Sequence, residues 1–202
     1  MKIRVLYSGG KDSSLSSILL EPFFDVELVT FGFEEYGTWV PAKKAASVLG
    51  FPHKVIPFEG GVIKNAMEII LEKGYPKDAL NYLHDCALKV LATDSEFLAD
   101  GTKREDRAPV MGNRDIRSLE DRFGVKYVRP LAGYGSSTIN LLASRYLDFE
   151  MLPSEAYPAS DFEVGLRRAL AEQHGPEKVA RIFPANHTHS IVIRRKSFEQ
   201  KD

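Results

Sequence analysis

The sequence predicts an open α/β sheet of five mostly parallel strands with helices on both faces, followed by a small α+β extension. Three observations predict it. Short apolar runs alternate with stretches of helical periodicity from residue 3 to residue 146, the pattern of a parallel sheet with crossover helices. Four of the runs end in polar or glycine-bearing stretches, and ligands collect outside the carboxyl ends of such strands. The 202 residues, 44% of them hydrophobic, suffice for one sizeable core with a small appendage.

The elements follow in order. Ile3–Tyr7 is an apolar first strand, and Leu15–Leu20 continues as a helix after a glycine turn. Asp25–Phe33 reads as a buried second strand. Thr38 is placed to cap a helix with Pro41 in its first turn, and Trp39, Ala42, Lys43, Ala46 and Leu49 keep helical spacing until Gly50 and Pro52 stop it. His53–Phe58 is the third strand, and Val62–Glu72 a helix ending at Gly74. Asp78–Phe97 is a longer helix with the stripe Leu80, Leu83, Ala87, Val90 and Leu91. The fourth strand is Phe97–Asp100, then a polar loop over residues 102–107, a helix over Ile116–Phe123 and a fifth strand over Val125–Arg129. A loop with Gly133 and Gly135 leads to the helix Thr138–Tyr146. Alternation weakens near residue 152, which divides a domain over 1–151 from an extension over 152–202 holding Phe162–Gln173, Pro176–Ile182 and the strand-like Ser190–Arg194.

Composition narrows the classes. A net charge of −1 carries no global basic field for nucleic acid. No apolar run approaches the ~18 residues of a membrane span, and no signal-peptide pattern precedes the first strand, so a cytoplasmic protein is expected. The single cysteine excludes a disulfide framework and a cysteine-rich metal site; Cys86 itself follows the apolar stripe as a core thiol.

The chemistry concentrates at Ser8-Gly9-Gly10-Lys11-Asp12-Ser13-Ser14, between the first strand and the first helix. Two glycines let the backbone turn sharply and approach a ligand. The free N–H groups of the first helical turn favour an anion. Asp12 would repel a phosphate unless a cation stood between them, which points to Mg²⁺. The spacing is not that of the G-x-x-x-x-G-K-[ST] loop.

SGGKDSS resembles instead the SGGxDS signature of the PP-loop ATP pyrophosphatases, the adenine nucleotide alpha hydrolase-like superfamily of Rossmann-like, HUP-type fold. The resemblance covers residues 2 to about 150. It implies ATP bound along Tyr7, Ser8, Gly9, Gly10, Lys11, Asp12, Ser13 and Ser14 and cleaved between its α and β phosphates, with AMP passed to an acceptor. The stretch from Asp100 resembles the DGTNxDD-like motif after the fourth strand, with Lys103 in place of Asn and Glu105 in place of the first paired Asp. By that resemblance Gly101, Thr102 and Lys103 adjoin the nucleotide, and Glu105 and Asp106 join Asp12 around Mg²⁺. The end of the second strand implies an adenine wall, Phe33 through its main chain, with Phe31 beside it. Arg129-Pro130-Leu131 with Ile139 and Leu142-Ala143 resembles a further stretch of these enzymes, in which Arg129 faces the phosphates; Ser136 and Thr138 depart from that pattern's basic and Glu positions. Lys11, Asp12 and Arg129 are thus the catalytic candidates.

The expected function is AMP-forming adenylation of an acceptor, of amide- or ligase-forming type, with an amine donor or a glutaminase partner supplied in trans. The competing expectations are a non-catalytic nucleotide-binding module and an adenylating tRNA-modification enzyme that contacts RNA through a local basic patch such as Arg194, Arg195 and Lys196. A homodimer is compatible with either. His187 and His189, at i and i+2 before Ile191 and Ile193, carry no third metal ligand nearby and are given a structural or surface role.

Overall fold

The computed structural model describes residues 1–153, 159–183 and 188–197. Five strands, β1 (Lys2–Leu6), β2 (Asp25–Gly32), β3 (His53–Pro57), β4 (Phe97–Ala99) and β5 (Lys126–Val128), form one sheet in the order β3-β2-β1-β4-β5. Every pairing is parallel, with Val5 opposite Leu28 on one side and Ala99 on the other. This is the strand order of a Rossmann-like fold, and its switch point lies between β1 and β4.

Alternation along the strands divides two cores. Ile3, Val5, Tyr7, Val26 and Leu28 face one side, where they meet α1 (Lys11–Leu20) and the alanine-rich face of α2 (Val40–Leu49). Leu6, Val29, Phe31, Phe33 and Leu98 face the other, against α3 (Gly60–Lys73) and α4 (Lys77–Ala92). Leu119 of α5 (Asn113–Phe123) closes that second core, while Ile139 and Ala143 of α6 (Ser136–Tyr146) pack on Leu15 of α1. Among the described residues, no helix is long and apolar enough to cross a membrane.

Several boundaries differ from the sequence reading. Thr38 does not cap α2; its hydroxyl accepts the Phe33 N–H at 3.0 Å, and Trp39 takes the cap position. On α2 the buried face is Ala42, Ala45, Ala46 and Leu49, with Lys43 exposed. The helix α4 stops at Ala92 rather than running to Phe97, because Thr93 turns its hydroxyl back to the Val90 carbonyl and Phe97 is taken into the sheet. On its stripe Val90 is exposed, and His84 stands buried among Leu83, Ala87, Leu88 and Leu91. Cys86 is half-buried, and burial raises its thiol pKa.

The C-terminal third returns to the same body. β6 (Leu147–Pro153) runs through residue 152 and pairs antiparallel with β7 (Thr188–Arg195), forming a two-stranded ribbon whose Val192 enters the first core. Leu166, Ala169 and Leu170 of α7 (Phe162–His174), with Ile182 of α8 (Pro176–Ile182), enter the second. Gly165 allows α7 to lie directly on the Phe33 ring, since a Cβ there would stand 2.1 Å from Cδ2.

Candidate functional site

The turn after β1 is built by hydroxyls. Ser8 and Ser13 Oγ lie 3.2 Å apart, Ser13 donates to the Gly10 carbonyl at 3.2 Å, and Ser14 meets the Tyr7 hydroxyl at 3.0 Å. Gly9 has φ +80°, the left-handed region that glycine enters without strain, and its bare α-carbon lets the turn rest on Ala42. Gly101 is needed for a different contact: a Cβ would fall 2.6 Å from the Ser13 nitrogen. Its missing side chain makes room for the first turn of α1, while the residue also lines the cavity beside it.

That cavity, of about 350 Å³, opens at the switch point. Tyr7, Ser8, Gly10, Lys11, Asp12 and Ser13 line it from the turn. Thr102, Lys103 and Asp106 line it from the loop after β4. The charged groups alternate. Lys11 Nζ lies 2.5 Å from Asp12 Oδ1; Lys103 Nζ lies 3.0 Å from Asp12 Oδ2 and 2.5 Å from Asp106 Oδ1. Burial alone would lower the Lys103 pKa, but Asp12 and Asp106 outweigh it and hold the ammonium above its ordinary value.

Glu105, next to Asp106 in sequence, turns away. Its carboxylate accepts the Ser136 N–H at 3.0 Å at the start of α6, and that hydrogen bond lowers its pKa. The expected trio of Asp12, Glu105 and Asp106 is therefore not gathered; among the described residues no three His, Cys, Asp or Glu side chains are placed to hold a metal. Arg129 does not reach the cavity either: it lies over the Tyr127 ring and 3.5 Å from the Met111 carbonyl. Phe31 and Phe33 are 2% and 1% exposed and belong to the core against Phe58, outside the cavity wall. The Phe33 main chain is already engaged, its N–H by Thr38 and its carbonyl by the Tyr36 N–H.

The cavity is completed by two groups of residues that the sequence reading did not assign to the nucleotide site, although it quoted Asp100 in a motif and gave His189 a structural or surface role. The first is His84 with Asp100, 3% and 2% exposed. Asp100 Oδ2 accepts from His84 Nε2 at 2.8 Å and from the Tyr127 hydroxyl at 2.5 Å; Oδ1 accepts the Thr102 N–H at 3.0 Å and hydroxyl at 2.7 Å. Burial pushes the Asp100 pKa up, but these donors, His84 first, outweigh it and bring it below the ordinary carboxylate value. The second group comes from the C-terminal third: Ser160, Asp161, Glu163, His189 and Ser190. Ser190 Oγ accepts the Lys11 N–H at 3.0 Å, so β7 touches the glycine turn itself. Asp161 caps α7 by accepting the Val164 N–H at 3.0 Å, and its other oxygen lies 2.6 Å from His189 Nδ1. The one available signal for the second group was position: Ser190 opens the last strand-like run, and Asp161 precedes a helix as a cap residue does. His187 lies outside the described residues.

The fold and the turn define a Rossmann-like α/β protein with a glycine-serine loop at its switch point. The model of the family described as "Family of unknown function (DUF7411)" matches residues 1–194, and the chain belongs to that family. It is 37% identical over 198 residues to "Uncharacterized protein MJ0690" of Methanocaldococcus jannaschii, covering 97% of this chain and 98% of that one. It also resembles the crystal structure of a "predicted subunit of tRNA methyltransferase" from Methanocaldococcus jannaschii, with TM-score 0.88, 37% identity and coverage of 98% and 100% of the two chains. A fainter likeness is to "U34-tRNA thiolase NcsA" from Methanococcus maripaludis, at 16% identity and TM-score 0.49, covering 90% and 69%.

Proposed function

We propose that the chain binds ATP with its phosphates on residues 8–14, cleaves it between the α and β phosphates, and transfers AMP to an acceptor. The observation that carries this is the glycine-serine turn at the switch point, with the Lys11, Asp12 and Lys103 charges gathered over one cavity. An acceptor oxygen attacks the α-phosphorus, a new P–O bond forms, and pyrophosphate leaves with the electrons of the broken bond. Lys11 and the turn's N–H groups face the charge that develops. Asp12 and Asp106 suit a Mg²⁺ site of the kind completed by substrate phosphates, which needs only one or two carboxylates. When bound there, Mg²⁺ would neutralise the phosphate charge; Lys103, which now bridges the two carboxylates, would turn its ammonium to the phosphates.

Incubation with labelled Mg-ATP should give AMP and pyrophosphate, and Asp12→Asn should lower that release at least about 100-fold with the fold intact. ADP and phosphate as products would exclude α–β cleavage. Tight binding of ATP with no AMP under any acceptor mixture would identify a nucleotide-binding module instead. One observation favours RNA as the acceptor: the similar Methanocaldococcus jannaschii structure is described as a predicted subunit of tRNA methyltransferase. AMP release stimulated by tRNA and suppressed by salt would support it.

A further inference from the structure

His84 has no part in the phosphate chemistry above, yet its environment is that of a held proton acceptor. Asp100, saturated by donors and ionised, can only accept a hydrogen bond from the ring. The proton of that bond therefore sits on Nε2, and a neutral ring presents its lone pair at Nδ1. Nδ1 is buried and has no hydrogen-bond partner among the described residues. A buried polar atom of this kind is costly unless something satisfies it. The ring lines the cavity, whose wall also includes the apolar side chains of Leu6, Leu80, Pro109 and Phe162. The pair is also tied to the phosphate turn, because the Ser16 hydroxyl donates to the Asp100 carbonyl at 2.7 Å and Gly101 rests on Ser13. A carboxylate fixing one imidazole nitrogen while the other receives a proton is the arrangement of a general base.

We infer that His84 accepts the proton of the group that attacks ATP, so that the acceptor is a hydroxyl compound, water included, with Asp100 as the positioning residue. This rests on the ATP reading above and narrows its acceptor. The acceptor O–H donates to His84 Nδ1. Its oxygen bonds to the α-phosphorus, the bond to the β-phosphate oxygen breaks, and pyrophosphate leaves with the electron pair. The proton ends on Nδ1, giving an imidazolium beside the Asp100 carboxylate. A carboxylate acceptor would need no such base.

The test has two arms. Nitrogen-15 NMR of the histidine rings should show His84 as the Nε2–H tautomer with Nδ1 unprotonated. A proton found on Nδ1 in place of Nε2 would leave no lone pair for the acceptor and would overturn the inference. In the second arm, wild type should release AMP and pyrophosphate slowly from Mg-ATP with water as acceptor. His84→Ala and the less disruptive His84→Asn should lower kcat roughly 100-fold, with unchanged affinity for α,β-methylene-ATP and partial recovery of the alanine variant in imidazole. Unchanged kcat, or a loss that imidazole does not relieve, overturns the base assignment. Nucleotide binding by wild type without AMP release overturns it too and leaves ATP binding standing. If wild type does not bind the analogue, the ATP reading itself falls.

Discussion

Asp100 shows how much one side chain can hold in place. Its four donors come from α4, β5 and the loop after β4, so the carboxylate joins three segments around the cavity. Because its folded pKa lies below the ordinary 3.8, its contribution to stability is present above that value and is lost as pH falls through the lowered one. Asp100→Asn leaves a donor facing donors and should cost roughly 3 kcal/mol at pH 7. In urea titrations the gap between wild type and variant should be full above pH 3.8 and narrow only below it. A gap that closes near pH 5 would contradict the hydrogen-bonding pattern. This residue also marks what sequence alone conceals. Asp100 was legible only as part of a motif, and His84 only as an interruption of an apolar stripe; their partnership spans 16 residues and exists through tertiary packing. Glu105 and Asp106 make the same point. As neighbours they look interchangeable, yet the backbone sends one to α6 and the other to Lys103.

At the scale of elements, the sheet was the most legible part, since apolar runs, turn residues and helical spacing are local properties. The five parallel strands and their flanking helices follow the expected order, with boundaries moved by a few residues where capping or strand pairing intervened. Less legible was the fate of Phe33. Aromatic residues at a strand end can serve a ligand or a core, and what decides here is α7, contributed from more than a hundred residues away. Gly165 is the seat of that contact. Gly165→Ala should overpack the Phe33 ring and cost about 1–3 kcal/mol. In a double-mutant cycle, Phe33→Leu should reduce the cost of the alanine; additive effects would mean that α7 adjusts elsewhere.

For the molecule as a whole, residues 159–183 and 188–197 bring side chains to both cores and to the glycine turn. We therefore expect a fragment of residues 1–151 to lack the cooperative thermal transition of the full chain and to expose apolar surface. Calorimetry of the two would show it; a sharp transition in the fragment, with helicity like the full chain's, would make residues 152–202 an appendage after all. The sequence offered no motif there because the contribution is made by single residues. Ser160, Asp161, His189 and Ser190 are ordinary until the ribbon and α7 fold back over the switch point.

The hydrogen bond from Lys11 N–H to Ser190 makes the ribbon a competitor for the turn. Under the ATP reading, a phosphate that claims this amide would displace the Ser190 hydroxyl, which would couple nucleotide occupancy to the Lys11–Ser190 contact. Reciprocity then follows: whatever pins the ribbon to the turn weakens nucleotide binding by the factor with which nucleotide loosens the ribbon. Amide exchange along Thr188–Arg195 should quicken when α,β-methylene-ATP is added to wild type and should already be fast in Ser190→Ala. Exchange indifferent to both would mean that ligand and hydroxyl share the amide without contest. If exchange does respond, the strand Thr188–Arg195 is a gauge of whether the glycine turn is filled.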